Sequence, residues 1–379
     1  MSALPQIAGN TWTFLQYVVG LDRLGVETYW VDHQPRLDPR LPAQKGHAWP
    51  KRDCHSVEYA RERFHAMAEA FGFEDRYCIL YGGQATAFGM TKDALGELAS
   101  EADLLLNFAG ALPPNSPLLR IRRRAYVDLD PGFTQIWAHQ VDLRLERYQR
   151  FFTVGLNVGR PEFRIPTLGV AWEPFLPPVV LDLWPAHIDP SCRRVSTIGD
   201  WYGSQHGEFD GEFYAGKREE FLRFLDVPKR MCHPIEVALY IAPYDHEDLG
   251  LLHRSGWVLR DPYLYAGDLA SYQEFIRFSR AEFSVAKSGY VKSRSGWFSD
   301  RTACYLASGK PAVVQSTQLE ERLPTGMGLL TFETVEEACA ALEAVDEAYL
   351  EHCHAARRLA ETYLDSSVVL AAMLERSCA

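Results

Sequence analysis

Residues 288–317 read SGYVKSRSGWFSDRTACYLASGKPAVVQST and follow the short apolar run EFSVAK (282–287). Together they spell a strand, a polar loop, a helix over DRTACYLAS, a Gly-Lys-Pro stop and a second buried strand, PAVVQS. In a strand–loop–helix unit the loop lies at the strand's C-terminal end. The helix start there presents unpaired N–H groups and the positive end of its dipole. Anions, diphosphates above all, settle at such a start. On this reading Ser293, Ser295 and Ser299 donate to phosphate oxygens, and Gly296 lets backbone approach closely. Lys287, Lys292 and Arg294 add charge, and Asp300 opens the helix. The competing reading is a serine-capped helix with solvated lysines, because Ser before a helix is ordinary.

Outward from this unit the chain alternates helical and strand patterns. In the first half, TWTFLQYVVGLDRLG (11–25) has apolar residues at helical spacing and stops at Gly25, before the strand-like VETYWVD. The same order repeats through SVEYARERFHAMAEAFG and RYCILYGG, then TKDALGELASEA and DLLLNFAG. AYVDLDPG, a helix predicted over IWAHQVDLRLERYQ, and FFTVGLN follow. Helix followed by short buried strand, five times over, predicts a doubly wound parallel sheet. Residues 161–190 hold seven prolines and no helical period, and read as a linker. Alternation then resumes from RRVSTIGDW (193–201) to GLLTF, and VEEACAALEAVDEAYLEHCHAARRLAETYL supplies closing helices. The expected architecture is α/β, with a first domain over residues 1–160, a linker over 161–190 and a second domain over 191–379. Such folds bind ligands at strand C-termini, here facing the cleft between the domains.

The 379 residues suit two domains, and 47% hydrophobic content with 20 Phe, 18 Tyr and 9 Trp excludes a disordered chain. A net charge of −11 disfavours nucleic acid as a partner, because phosphate backbones reward basic surfaces. The dense basic run IRRRAY (121–126) reads as a solvated loop before a strand. Eight cysteines without zinc-type spacing, no leader and no long apolar run lead us to expect a cytoplasmic protein with free thiols and no membrane span.

Helix, ASGKP, buried strand AVVQS and the polar tail TQLEERLPTG resemble the donor-binding half of GT-B glycosyltransferases. The whole chain resembles uncharacterised bacterial family-1-like glycosyltransferases, most specifically through RSGWFSDRTACYLASGKPAVVQST and LPTGMGL. The resemblance implies two Rossmann-like domains facing a central cleft, with C-terminal helices closing the molecule. It implies a nucleotide-diphosphate sugar as co-substrate, with UDP as the nucleotide and no further cofactor. The acceptor would be a hydroxylated small molecule or glycan held by the first domain. Donor contacts would come from residues 287–302 and 315–318, including Gln315 and Thr317. They would also come from the loop after the second domain's first strand, with Gly199, Trp201 and Tyr202 near the nucleotide and sugar and Lys217 at the diphosphate. Retaining members usually carry two Glu separated by seven residues; Gly296 and Cys304 stand in those places, and Asp300, one helical turn before Cys304, is the nearest carboxylate. GT-B enzymes generally use helix dipoles and cations where other glycosyltransferases use a divalent ion, and no metal is expected here.

In VDLDPGFTQ (127–135), Asp128 and Asp130 close a strand, and at most one of them is expected to face the cleft. Asp130, at the strand end, is the candidate general base for an acceptor hydroxyl; an Asx-type turn before Pro-Gly is the alternative. HGEFD (206–210) and EHCH (351–354) do not make metal sites, the second because i and i+2 do not share a helical face. MSALPQIAG leaves little room for a first strand, so that strand is expected to be reduced or missing. Two other activities fit the same fold, a non-catalytic nucleotide- or sugar-binding partner protein and a sugar-nucleotide epimerase. No strand is followed by GxGxxG, which argues against a dinucleotide dehydrogenase.

Overall fold

A computed structural model describes residues 8–34, 57–82, 86–110, 112–203 and 205–378. Of the place read as a reduced first strand, residues 1–7 lie outside them, and Ala8 and Gly9 open the first helix, Ala8–Arg23. In the first half, β1 (Trp30–Gln34) pairs in parallel with β2 (Tyr77–Tyr81), and β3 (Thr86–Gly89) adds antiparallel to β2. A second sheet runs β4 (Leu104–Phe108), β5 (Arg123–Asp128), β6 (Arg150–Thr153) and β7 (Glu173–Pro174), all parallel.

The second half begins with β8 (Val195–Asp200) and a hairpin of β9 (Gly207–Phe209) and β10 (Glu212–Tyr214). Next come β11 (Ile235–Tyr240), β12 (Val258–Arg260), β13 (Ala281–Ser284), β14 (Ala312–Gln315) and β15 (Leu329–Phe332). Apart from the hairpin these strands form one parallel sheet in the order β12-β11-β8-β13-β14-β15. Burial on both faces explains why β11 and β14 are mostly apolar, interrupted only by Glu236 and Gln315, rather than alternating. The strand order reverses between β8 and β13, and ligands bind beyond the carboxyl ends of strands at such a reversal. These two strands pair only through Ala281–Val195 and Glu282–Ser196, then part.

The helix Asp300–Ala307 is capped at both ends as the sequence implies. Ser299 accepts from Arg301 N at 3.2 Å. Gly309, at φ +69°, closes a Schellman turn in which Lys310 N bonds Tyr305 O at 2.9 Å, and Pro311 follows. Two stretches differ from expectation. The helix over IWAHQVDLRLERYQ stops at Gln140, because the Asp142 carboxylate takes Arg144 N at 2.8 Å and turns the chain. The proline-rich stretch is packed: Phe163, Ile165 and Trp172 enter one core, Val179, Val180 and Trp184 another, and β7 extends the first domain's sheet. The last helix, Ser366–Cys378, returns to the first domain, where Leu370 and Met373 pack with Tyr17, Leu21 and Val127. Among the described residues no helix is long and apolar enough to cross a membrane.

The domains meet along a backbone seam. Gly155 bridges Trp297, Leu156 N bonds Gly296 O at 3.2 Å, and Asn157 N bonds Ser295 O at 3.0 Å. Gly296 has φ +66°, and a Cβ there would lie 2.9 Å from Asn157 N. Gly159 has φ +81° with nothing within 4 Å of its Cβ position. The left-handed strain is common to both positions, so Gly296→Ala should lower stability by about 1–3 kcal/mol more than Gly159→Ala, the scale of an overpacked contact. Urea unfolding of the two variants checks this; equal losses would mean that the seam yields freely.

Candidate active site

The site is built at the reversal between β8 and β13. As β8 ends, the Asp200 carboxylate accepts from Tyr202 N at 3.1 Å and Gly203 N at 3.2 Å, folding the loop back on itself. The loop passes so close to Gly216 that a Cβ there would lie 1.6 Å from Tyr202 O, so only glycine fits. That contact delivers Lys217 to the strand ends. A Cβ on Gly199 would lie 3.5 Å from Lys217 Nζ, an ordinary contact, which puts Gly199 beside the ammonium.

Lys217 is 7% exposed, and no ion-pair partner to its ammonium is found among the described residues. Burial, with Arg301 and Lys287 nearby, holds its pKa well below the ordinary lysine value, against weaker pulls from Glu282 and Asp200. Arg301 fills the gap between the parted strands. It donates to Glu282 at 2.7 Å, to Ile198 O at 2.6 Å and to Ser284. Glu282 is fully buried, so Arg301 is the floor of the site, neutralised from below. Lys217 has no such counter-charge.

Lys287, just past β13, reaches across the cleft. Its ammonium lies 2.8 Å from Asp130 Oδ1 and 2.9 Å from Tyr290 OH, and Tyr290 also donates to Asp130. Gln205 adds a long bond of 3.4 Å to the same carboxylate. Burial pushes the Asp130 pKa up, but the Lys287 charge and the bonds from Lys287, Tyr290 and Gln205 outweigh it and leave the group below the ordinary range. Burial and the Asp130 charge push the Tyr290 phenol well up, so it stays a donor. β5 ends at Asp128, so Asp130 already lies in the turn beyond the strand and its surroundings are set there. Asp128 is fully buried, accepts from Thr134, Thr153 and Gln135, and is pushed by burial up to about 6.

Of the residues singled out in the sequence, the structure thus brings Gly199, Lys217, Lys287 and Asp130 together. The others have other work. Ser293 and Ser295 are fully buried and bond backbone carbonyls of the preceding helix, Ser288–Ser293. Ser299 spends its oxygen on the helix cap, and Gly296 serves the seam. Thr317 donates to Trp297 O, and Gln315 is buried between Ala286 N and Glu220. Trp201 is enclosed in the second core with its indole N–H on Asp248 at 2.7 Å, while Tyr202 is half-buried against that core. Asp300 accepts from Thr13 of the first helix, Ala8–Arg23. Arg294, in the left-handed conformation at the end of helix Ser288–Ser293, is exposed and lines a separate recess.

Sequence reasoning passed over Tyr290, Gln205, Gly203, Gly216 and Arg301. The Gly-Lys pair opening the helix of KREEFLR was the available signal for Gly216. Glu282 inside an apolar strand was the signal that a buried cation must meet it. HGEFD lies on the β9–β10 hairpin, and His352 of EHCH accepts from Gly328 N at 3.1 Å.

No family model matches this sequence, and no curated protein does. Solved structures do. Sucrose-phosphate synthase from Thermosynechococcus elongatus superposes with a TM-score of 0.55 at 10% identity, over 99% of this chain and 96% of that one. Anabaena HepE in complex with UDP-glucose gives 0.54, and in complex with UDP 0.52, both at 10% identity over 92% of this chain and 99% of that one. The chain therefore has the GT-B fold, as the run from Arg294 to Thr317 implied.

Removing the Arg301 side chain would leave Glu282 buried and charged without its partner. Arg301→Ala should lower stability by about 3–5 kcal/mol, the usual loss when one member of a buried ion pair is deleted. Urea denaturation measures it, and a loss under 1 kcal/mol would show that the floor of the site does not depend on this pair.

Proposed function

We propose that the protein transfers a glycosyl group from a nucleotide-diphosphate sugar to a hydroxylated acceptor in the interdomain cleft. The observation that carries this reading is Lys217, a buried ammonium without a carboxylate partner, set at the strand-order reversal near Lys287 and under a loop kept narrow by the close approach of Gly203 and Gly216. Such a cation is costly unless an anion joins it, and a diphosphate supplies two charges within reach of both lysines. The fold shared with HepE, solved with UDP and with UDP-glucose, supports a nucleotide-diphosphate sugar as the donor.

In the reaction the bond from the sugar's anomeric carbon to the diphosphate oxygen breaks. A new bond forms to the acceptor oxygen, and the acceptor's proton leaves to a base. Lys217 and Lys287 stabilise the charge that gathers on the departing diphosphate, which is electrostatic catalysis by pre-placed cations and takes the place of a metal. Asp130 is the base in this account. While Lys287 holds it, the carboxylate is a weak base. When the diphosphate draws Lys287 away, Asp130 loses its nearest cation and its basicity rises.

Calorimetric titration with UDP, GDP and dTDP tests the donor site. At least one should bind with a micromolar-to-millimolar Kd, and Lys217→Ala and Lys287→Ala should each weaken it by about 10–100-fold, the range of a charged hydrogen bond. Affinity for the bare nucleoside should be unaffected. No binding by any of the three at millimolar concentration would end the proposal.

The depressed pKa of Lys217 gives a pH dependence. An anion favours the protonated amine, so binding takes up a proton wherever free Lys217 is deprotonated, and affinity falls as pH rises. A nucleotide sugar is the right probe, since its diphosphate does not titrate near neutrality. Calorimetry in buffers of differing ionisation enthalpy should show proton uptake in the wild type and none in Lys217→Met. Asp130→Asn should reduce transfer by about 10²–10⁴-fold, the range for a general base, while nucleotide affinity holds or tightens because a competitor for Lys287 is gone. Weaker nucleotide binding in Asp130→Asn would place the carboxylate on the donor rather than the acceptor.

A further inference from the structure

A second cluster of cations lies at the far end of helix Ser288–Ser293 from Lys287. Arg164, Arg223, Lys292 and Arg294 surround a recess of about 230 Å³ floored by Gln315 and Ser316, at the carboxyl end of β14. We infer that this recess is an anion subsite that seats the phosphate of a phosphomonoester-bearing acceptor.

Charge is the first argument. The chain as a whole is acidic at −11, yet four cations here face one carboxylate, Glu333, which is already engaged by Gln318 at 3.0 Å. Arg223 is paired with Glu220 at 2.6 Å, and Lys292 donates to Phe213 O at 2.7 Å. Arg164 and Arg294 have no ion-pair partner among the described residues. Two unpaired guanidinium groups offer planar forks, which suit the oxygens of one phosphate better than a point charge would.

Construction is the second. The recess is part of the domain seam, since Arg164 N bonds Ser293 O at 3.0 Å, and Asn157 from the same segment of the first domain bonds Arg294 O at 3.3 Å and Gln318 O at 2.9 Å. Those bonds hold Arg294 in its left-handed conformation, φ 53°, which an arginine rarely adopts. The two domains thus each contribute one free guanidinium to the same opening. Its volume is below the roughly 300–1,000 Å³ of a whole-ligand pocket, which fits a headgroup whose remainder extends along the cleft. The six-residue helix between Lys287 and Arg294 spans about 9 Å at 1.5 Å per residue, so this anion and the donor diphosphate occupy different places.

Naming the phosphomonoester as part of an acceptor rests on the transfer reading above; the binding itself does not. The test is titration of inorganic phosphate and of methyl phosphate, followed by phosphorus NMR, into protein saturated with UDP so that the lysine pair is filled. Saturable binding of both is expected. Arg164→Gln with Arg294→Gln should weaken it at least tenfold, with unchanged thermal stability and UDP affinity. Lys217→Ala with Lys287→Ala should leave it within twofold while UDP binding is lost. Failure of UDP to bind, with phosphate still held by the arginines, would sink the donor site and spare this one. Absence of saturable phosphate binding, binding indifferent to both arginines, or methyl phosphate at least tenfold weaker than inorganic phosphate would each overturn the assignment.

Discussion

The close approach of Asn157 to Gly296 governs the rest of the molecule. Two backbone hydrogen bonds and a bridge join a strand end of the first domain to the loop that starts the key helix of the second. Only glycine fits at the contact, because the backbone there is left-handed and the neighbouring amide occupies the place of a side chain. With this seam formed, the helix Ser288–Ser293 lies against Phe133 of the first domain, where Gly289 leaves room for the ring. The same alignment brings Asp130 to Lys287 and Arg164 beside Arg294. Site chemistry and domain packing therefore share one piece of backbone.

Around that seam the charges are arranged in tiers. Arg301 and Glu282 neutralise each other in the gap between β8 and β13 and set the floor. Above them Lys217 stays without a counter-ion, and Lys287 takes its own from the opposite domain. An anion entering the cleft meets one cation that is free and one that must be released. In the proposed reaction that release is what readies Asp130, so donor binding and base activation are a single electrostatic event.

Much of the fold was legible in the chain because its signals are local. Buried parallel strands read as short, mostly apolar runs, and the Ser299 and Gly309–Lys310–Pro311 punctuation marks a helix by rules that operate within a few residues. Lys217 was singled out through the family resemblance, and the structure places it beside Gly199 near the end of β8. The serines were not legible: Ser293 and Ser295 spend their hydroxyls on the carbonyls of Gly289 and Tyr290, and residue type alone does not separate such a protein partner from a phosphate. Trp201 was misjudged in the same way, since its partner Asp248 lies in a later helix. The proline-rich stretch misled because proline composition speaks to backbone stiffness, whereas Phe163, Ile165 and Trp172 decided the outcome by burial.

The central claim is that the lysine pair at the strand reversal holds a diphosphate in competition with Asp130. A crystal structure of the protein with a nucleotide-diphosphate sugar tests it most directly. The account predicts diphosphate oxygens within hydrogen-bond reach of both Lys217 Nζ and Lys287 Nζ, the Lys287–Asp130 bond broken, and the seam at Gly296 unchanged. A nucleotide bound elsewhere, or one bound in the cleft with the Lys287–Asp130 pair intact, would contradict it.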